Sequence, residues 1–134
     1  MSTVADSVCA RFNAAPYYQL LGMVSSSERP GQSRVVLPFR EELVQLYGGI
    51  HGGALLSLAD SALSVAVAST FERGETTATI DVAMSFLAPA GRRDLEARGS
   101  LLRRGKRIAF AECTIHAGDE VVARGHGTCY VSEG

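Results

Sequence analysis

The chain contains 134 residues, of which 46% are hydrophobic and 20% are charged, and its formal net charge is -1. A chain of this length predicts one domain, residues 1–134, that buries roughly 68% of its unfolded surface around a single core. The near-neutral charge argues against nucleic acid as a partner, because nucleic-acid-binding proteins normally carry a strong basic excess.

The cysteines and the N-terminus indicate where the protein works. Cys9, Cys113 and Cys129 are odd in number and show no C-x-x-C spacing, so we expect neither a disulfide framework nor a metal site, and a reducing cytoplasm fits best. The sequence MSTVADSVCARF has Asp6 where a signal peptide needs a basic start and an apolar core. No uncharged apolar run approaches the roughly 20 residues that cross a bilayer. We therefore expect a cytoplasmic protein that is neither secreted nor embedded in a membrane.

The N-terminal segment, residues 1–19, is predicted to be helical. Apolar residues recur at helical spacing from Thr3 to about Ala15. Ser2 or Thr3 is available as the N-cap, and Pro16 is expected to end the helix.

Two extended segments follow, and a turn connects them. Gly22–Glu28 and Ser33–Phe39 have strand-like sequences, and the ERPGQ between them contains a Pro-Gly pair that is typical of a turn. We predict a β-hairpin here, followed by a loop from Arg40 to Ile50.

A long apolar stretch from Gly52 to Phe71 predicts a helix about 30 Å long. Aliphatic residues cover nearly its whole circumference, which is typical of a helix surrounded by the rest of the fold. The polar exceptions recur at spacings of three and four, so they share one stripe that faces either water in a cleft or another chain. They are Ser57, Asp60, Ser61 and Ser64.

Asp60 lies in the middle of this helix, and no Lys or Arg occurs from Glu41 to Glu72. A carboxylate in a mostly buried segment costs several kcal/mol unless something solvates or pairs it. Two interpretations are open. Asp60 is either a structural residue that is hydrogen-bonded to Ser57, Ser64 or a backbone N–H, or a catalytic carboxylate.

Four predicted strands follow the helix: Thr77–Phe86, Asp94–Leu102, Arg107–His116 and Glu120–Val131. In the first strand, alternation places four apolar residues on one face, Ile80, Val82, Met84 and Phe86. Short turns containing Gly connect the last three strands, and we expect all four to form a meander. One long buried helix against a largely antiparallel sheet of about six strands is an α+β arrangement.

This arrangement, entered through His51-Gly52-Gly53 and carrying an acid nine residues after the His, resembles the hotdog-fold acyl-CoA thioesterases. The likeness runs from about Leu20 to Val131 and is closest to the phenylacetate-degradation and 4-hydroxybenzoyl-CoA thioesterases. Its specific parts are HGGALLSLAD and TIDVAMSFLAPA. The resemblance implies an enzyme that hydrolyses a small to medium acyl-CoA or aryl-CoA to the free acid and coenzyme A.

The resemblance also implies the central roles in the site. The backbone N–H of Gly52 matches the donor that receives the thioester carbonyl oxygen, and Asp60 matches the catalytic carboxylate, which acts as nucleophile or as base on water. Elementary chemistry agrees, since Gly52 and Gly53 have no side chains to obstruct a ligand and a helix start presents unpaired N–H groups. One well-placed donor of this kind is worth about 3 to 4 kcal/mol in acyl-transfer enzymes.

Further candidates follow from the same resemblance. Gln45 matches a side chain that helps to hold the carbonyl, Ser64 a hydroxyl that holds the water, and Thr79 a position where other members use Ser or Thr. His51 either contacts the substrate or anchors the helix start. Gln45 is similar to one branch of the family and Asp60 to the other, which leaves the acyl group open.

Coenzyme A carries phosphates, which family members hold with basic side chains. The candidates here are Arg92, Arg93, Lys106 and Arg107; the alternative is that the RRGK cluster is only a solvated turn. No metal is implied and no cofactor beyond the coenzyme A of the substrate. Family members pair so that the acid of one subunit meets the Gly of the other, which implies a homodimer, further paired into a homotetramer.

Two other functions stay open at this point. One is a hydratase or dehydratase of the same fold that acts on acyl-CoA or acyl-carrier protein, in which a His and an acid carry protons. The other is a non-catalytic module that binds acyl-CoA.

Overall fold

The computed structural model describes residues 3–72 and 74–133. In these residues, helices α1 to α3 and strands β1 to β6 follow one another as α1 Val4–Asn13, α2 Pro16–Leu21, β1 Val24–Ser26, β2 Gln32–Leu37, α3 Gly52–Ala68, β3 Thr76–Phe86, β4 Leu95–Arg104, β5 Ile108–Ala117 and β6 Glu120–Ser132. The α+β class and the six strands are as predicted. Within this part of the chain, no helix is both long and apolar enough to cross a membrane.

The N-terminal segment contains two helices where one was predicted. Thr3 and Asp6 form a capping box at the start of α1, each side chain accepting the other's backbone N–H at 3.0 and 3.1 Å. Pro16 begins α2 instead of ending α1, because a proline fits the first position of a helix, where its missing N–H is not needed. Gly22 then ends α2 with a φ of 83°, a conformation that favours glycine.

The sheet is antiparallel, with the strand order β1-β2-β4-β5-β6-β3. The predicted β1–β2 hairpin and the β4–β5–β6 meander are both present. The prediction that β3 joins this meander is wrong, because β3 pairs with β6 and lies at the edge of the sheet. The connection from β3 to β4 contains Pro89 and Gly91 and is too long for a tight hairpin, so it carries the chain across the sheet.

Helix α3 lies against one face of this sheet, and its aliphatic side chains form the centre of the core. Leu58, Leu63 and Val67 are fully buried. The helix approaches the sheet closely where the strands carry glycine: a Cβ on Gly99 would lie 2.5 Å from the carbonyl oxygen of Ala62. The close contact explains why α3 is apolar on most of its surface, as the sequence predicts.

A β-bulge interrupts β3. Thr79 pairs with Cys129 and Asp81 pairs with Thr128, so Ile80 is an extra residue opposite no partner. Before the bulge the odd-numbered residues face α3, since Thr79 lies opposite the buried Cys129; after it the even-numbered residues do, beginning with Val82. The predicted unbroken alternation is therefore wrong at Ile80, which is 55% exposed.

Candidate active site

A groove of about 730 Å³ lies between α3, β3 and the two N-terminal helices. The whole polar stripe of α3 lines it: Ser57, Asp60, Ser61 and Ser64. Aromatic and aliphatic side chains form the other walls, namely Phe12, Tyr17, Tyr18, Leu56, Ile80 and Val82. In the single chain, the stripe therefore lines a cleft that either of the surroundings allowed by the sequence, water or another chain, can fill.

Asp60 accepts a short hydrogen bond across this groove. The Thr79 hydroxyl donates to Asp60 Oδ1 at 2.6 Å, a length typical of a hydroxyl that donates to an ionised carboxylate. Thr79 is able to donate because the bulge at Ile80 places it on the face of β3 that looks toward α3. Two residues predicted for the site are thus brought into direct contact by tertiary structure.

Ser64 extends this contact by one more hydroxyl. Its Oγ lies 3.5 Å from Thr79 Oγ1, at the outer limit for a hydrogen bond. The single hydroxyl hydrogen of Thr79 is used in the hydrogen bond to Asp60. Ser64 is therefore the donor in any hydrogen bond between the two hydroxyls. The three side chains therefore form a chain of donors that ends at the carboxylate.

The surroundings of Asp60 are poor in compensating positive charge. Within residues 3–72 and 74–133, Asp60 forms no ion pair, so Thr79 and solvent in the groove are what stabilise its charge. The neighbouring Tyr18 is buried, and burial, followed by the charge of Asp60, raises the pKa of its phenol to about 12. Tyr18 therefore stays neutral and forms part of the apolar wall.

The start of α3 is built around His51. The His51 ring is the N-cap, and its Nδ1 accepts the Gly53 N–H at 2.7 Å, which leaves Nε2 as the nitrogen that carries the proton in the neutral ring. This is the anchoring role that the sequence left open for His51, although the exposed ring edge is also free to contact a ligand. Gly53 has its N–H occupied, whereas the N–H of Gly52 has no acceptor among the residues described.

Gln45 lies in the loop that leads into α3. Its backbone and that of Gly49 close a turn, with the Gln45 N–H donating to the Gly49 carbonyl at 2.8 Å. The side-chain oxygen of Gln45 accepts the N–H of Tyr47, so its amide NH₂ is the part left to reach a substrate. The loop thus uses Gln45 structurally without excluding a second role.

Gly52 and Asp60 lie at different places on the same helix. At a rise of about 1.5 Å per residue, they are separated by about 12 Å along α3. One thioester carbonyl is too small to contact both groups of a single chain.

The basic candidates fall into two separate groups. Arg92 pairs with Glu41 and stacks over the Phe39 ring at 4.8 Å, and Arg93 pairs with Glu120 at 2.9 Å. Arg92 lies close to the start of α3, since it also donates to the Gly48 carbonyl at 3.3 Å.

Lys106 and Arg107 lie in the β4–β5 turn instead, and both are exposed. Neither forms an ion pair with a residue that the structure describes. Within those residues, no three His, Cys, Asp or Glu side chains cluster as metal ligands.

Sequence reasoning missed the contribution of the N-terminal helices. The Tyr17 hydroxyl lies 2.7 Å from Ser57 Oγ and bridges α2 to α3 at one end of the groove. The Ser57 hydroxyl donates a hydrogen bond to the Gly53 carbonyl at 3.1 Å, so Tyr17 is the donor in its hydrogen bond with Ser57. The sequence signal that could have indicated this contribution is the aromatic cluster Phe12, Tyr17 and Tyr18. The residues of α3 that these side chains contact are distant in sequence, so the signal does not identify them.

Comparison with known proteins identifies the class to which this fold and groove belong. The profile of the Thioesterase superfamily matches residues 47–124, more than half of the chain. The chain belongs to the thioesterase superfamily, and its fold is the hotdog fold that the sequence predicted.

Individual relatives are similar over nearly the whole chain. A Pseudomonas aeruginosa protein that is provisionally named an esterase is 29% identical to this chain, over 98% of this chain and 99% of the relative's length. Human acyl-coenzyme A thioesterase 13 is 26% identical over 94% of this chain and 92% of its own. A thioesterase family protein from Silicibacter pomeroyi is 25% identical, with a TM-score of 0.91 over 98% of this chain and 100% of that chain.

The predicted likeness to the phenylacetate-degradation proteins is also confirmed. A mutant of the phenylacetic acid degradation protein from Thermus thermophilus is 26% identical, with a TM-score of 0.79, over 87% of this chain and 98% of that chain.

Proposed function

We propose that this protein is an acyl-CoA thioesterase that hydrolyses a small to medium acyl-CoA or aryl-CoA to the free acid and coenzyme A. The observation that carries the proposal is the carboxylate of Asp60. It faces an apolar and aromatic groove and is held by a 2.6 Å hydrogen bond from Thr79. Membership of the thioesterase superfamily supports the same reaction.

Either of two steps at Asp60 accounts for hydrolysis. In one, a carboxylate oxygen attacks the thioester carbon and expels the thiolate of coenzyme A, and water then hydrolyses the mixed anhydride. In the other, Asp60 removes a proton from a water molecule as that water attacks the carbon. A thiolate is a good leaving group, so both steps proceed from the same carboxylate, with Ser64 and Thr79 orienting it or the water.

The developing charge on the carbonyl oxygen needs a donor, and the N–H of Gly52 at the positive end of α3 suits that task. Because Gly52 and Asp60 of one chain lie about 12 Å apart along the helix, the donor is assigned to Gly52 of the partner subunit. The working unit is then a homodimer, and a homotetramer of two such dimers stays a prediction. The exposed position of β3 at the sheet edge is compatible with pairing between subunits.

The phosphates of coenzyme A are assigned to the four basic candidates. Lys106 and Arg107 are the stronger pair, because they are exposed and have no acidic partner in the part of the chain that the structure describes. Arg92 and Arg93 would have to share their charge with Glu41 and Glu120.

The test is an assay of free thiol release over a panel of acyl-CoA and aryl-CoA substrates, combined with chromatography of the products. Free acid together with coenzyme A supports the thioesterase. A hydrated or dehydrated acyl-CoA with its thioester intact would instead identify a hydratase. Tight binding without any turnover across the panel would identify a binding module.

A further inference from the structure

The face of α3 that carries Asp60 continues beyond the groove already described. Ser57, Ser61 and Ser64 line the groove, and Ala68 is the next residue of the same stripe at helical spacing. Ala68 lines a second cavity, of about 290 Å³, together with Phe71. The two cavities therefore lie one after the other along a single face of the helix.

The opposite wall is also shared. Strand β3 lines the second cavity through Thr76 and Thr77 and the first cavity from Thr79 to Val82. Both cavities thus occupy the space between α3 and β3, and together they extend the groove from Asp60 toward the C-terminal end of α3. At the other end, the bridge between Tyr17 and Ser57 joins α2 to α3.

Helix α1 crosses this space at the junction of the two cavities. Phe12 and Ala15 line both of them, whereas Val8, one turn earlier, lines only the second. The Phe12 ring is half-buried and packs against the Tyr18 ring, with 5.8 Å between the ring centres. Phe12 is therefore the side chain that separates the space beside Asp60 from the space beside Phe71.

We infer that the groove holds a straight acyl chain that runs from Asp60 along α3 beneath α1, and that Phe12 sets the greatest chain length. This inference rests on the proposed thioesterase function and narrows its substrates to short unbranched acyl thioesters. Along the helix, Asp60 and Ser64, which line the groove before Phe12, are about 6 Å apart, a distance of the order of an extended hexanoyl chain. Ala68, in the second cavity beyond Phe12, is about 12 Å from Asp60, a distance of the order of an extended decanoyl chain.

The physical basis is the burial of methylene groups. Each methylene that leaves water for an apolar wall improves binding by roughly fourfold. The gain continues until the chain end meets Phe12. Removing that ring joins the second cavity to the first, so the gain extends to longer chains.

The experiment compares the parent protein with Phe12→Ala on straight-chain acyl-CoA substrates from butanoyl to palmitoyl. We expect the kcat/KM of the parent to peak near hexanoyl. In Phe12→Ala, kcat/KM for decanoyl relative to hexanoyl should rise by at least about tenfold, since more than one additional methylene is then buried. Phe110→Ala is the matched control, because it removes the same ring from the outer face of β5.

A second variant tests where the additional chain length goes. Val8→Phe fills the second cavity only, so it should leave the parent profile unchanged and should cancel the gain when combined with Phe12→Ala. Should Phe12→Ala not fold, Phe12→Leu, which keeps an apolar contact with the core, must give a smaller shift in the same direction. A chain-length profile that is identical in the parent and in every folded Phe12 variant overturns the inference.

Affinities for non-hydrolysable ketone analogues of the same chain lengths separate this inference from the proposed function. Length-dependent binding that shifts in Phe12→Ala supports the groove even if no substrate is hydrolysed, and in that case the thioesterase proposal alone fails. Hydrolysis with a profile that ignores Phe12 leaves the thioesterase standing and overturns the groove. Binding that is independent of chain length, without hydrolysis, overturns both.

Discussion

Thr79 on the edge strand donates a 2.6 Å hydrogen bond to Asp60 on the central helix. The contact depends on the bulge at Ile80, which changes the face on which the side chains of β3 lie. If the alternation from Phe86 ran unbroken along the strand, Thr79 would point to the outer face, away from Asp60. A single extra residue in one strand therefore builds the candidate site.

Asp60→Asn removes the charge of this carboxylate and keeps its size. We expect kcat on the best acyl-CoA substrate to fall by at least ~10²-fold, the usual range for a general acid or base. Melting temperature and oligomeric state should be retained, because the amide oxygen still accepts the hydrogen bond from the Thr79 hydroxyl. Steady-state kinetics and thermal unfolding of the same preparation measure both.

A structural aspartate would give the opposite result. Removing a charge from an apolar helix would leave activity roughly intact and stability equal or better. Activity of Asp60→Asn within roughly tenfold of the parent would refute the catalytic role.

Thr79→Val keeps the shape of the side chain and removes the donated hydrogen bond. We expect a loss of about tenfold in kcat, smaller than that of Asp60→Asn, since Thr79 orients the carboxylate and does not react. Thr79→Ser should restore most of the activity because it restores the donor. Ser64→Ala, at 3.5 Å from Thr79, should cost no more than Thr79→Val. Equal activity in the Val and Ser variants would show that the hydroxyl has no role.

Gly52→Pro removes one backbone N–H with little other change. Proline is tolerated at the first helical position, and His51, with φ of -63° and ψ of 137°, already has a conformation that suits a residue before proline. We expect kcat to fall by ~10²-fold or more if this N–H binds the oxyanion, with the melting temperature unchanged. Gly52→Ala, whose Cβ would lie 3.5 Å from the Phe86 ring, is the control that keeps the N–H.

The same variant tests whether the site spans two subunits. Co-folding Gly52→Pro chains with Asp60→Asn chains produces heterodimers in which one site carries both defects and the other carries neither. Activity should then reappear in a mixture of two inactive proteins. A mixture that stays inactive while mass spectrometry confirms heterodimers would place both groups in one subunit.

Replacing Lys106 and Arg107 together by Ala should raise KM for acyl-CoA with a smaller effect on kcat. Phosphate contacts far from the carbonyl stabilise the ground state and the transition state alike. Substrates that carry only the pantetheine arm supply the control, since their KM should not change. An unchanged KM for acyl-CoA would mean that these residues are only a solvated turn.

Glu75 and Arg104 form a two-pronged ion pair, with Nη2–oxygen distances of 2.8 and 3.0 Å, that ties the segment between α3 and β3 to the end of β4. The Glu72 N–H and then the Arg104 guanidinium hold the pKa of Glu75 below its ordinary value of 4.5. Since this pKa is lower in the folded state, the stabilisation is complete at neutral pH and is lost as the pH falls through the folded value.

Glu75→Gln should therefore lower the free energy of unfolding by about 1 kcal/mol at pH 7. The difference from the parent should disappear in acid, where Glu75 is protonated in both states. Denaturant unfolding at a series of pH values measures this, with Glu72→Gln, whose side chain is exposed, as the control. A difference that does not depend on pH would show that the carboxylate charge is not the cause.

Local pattern determined much of the architecture. The all-round apolar stretch before Ala68 predicts a central helix, alternation predicts the strands, and Asp60 is visible as a charge without a sequence neighbour to pair it. These properties depend on side-chain periodicity and on backbone preferences, which act over a few residues. They are independent of where the rest of the chain lies.

Only tertiary structure decided which residues meet Asp60. The edge position of β3 depends on which strand competes best for its hydrogen bonds, and that is settled when the whole sheet assembles. The bulge at Ile80 shifts the register between β3 and β6, and neither strand's sequence alone indicates this shift. Phe12 reaches the groove because α1 folds back over α3, a contact between distant segments. Contacts of this kind between distant segments depend on the simultaneous packing of the whole chain, so a local sequence pattern does not predict them.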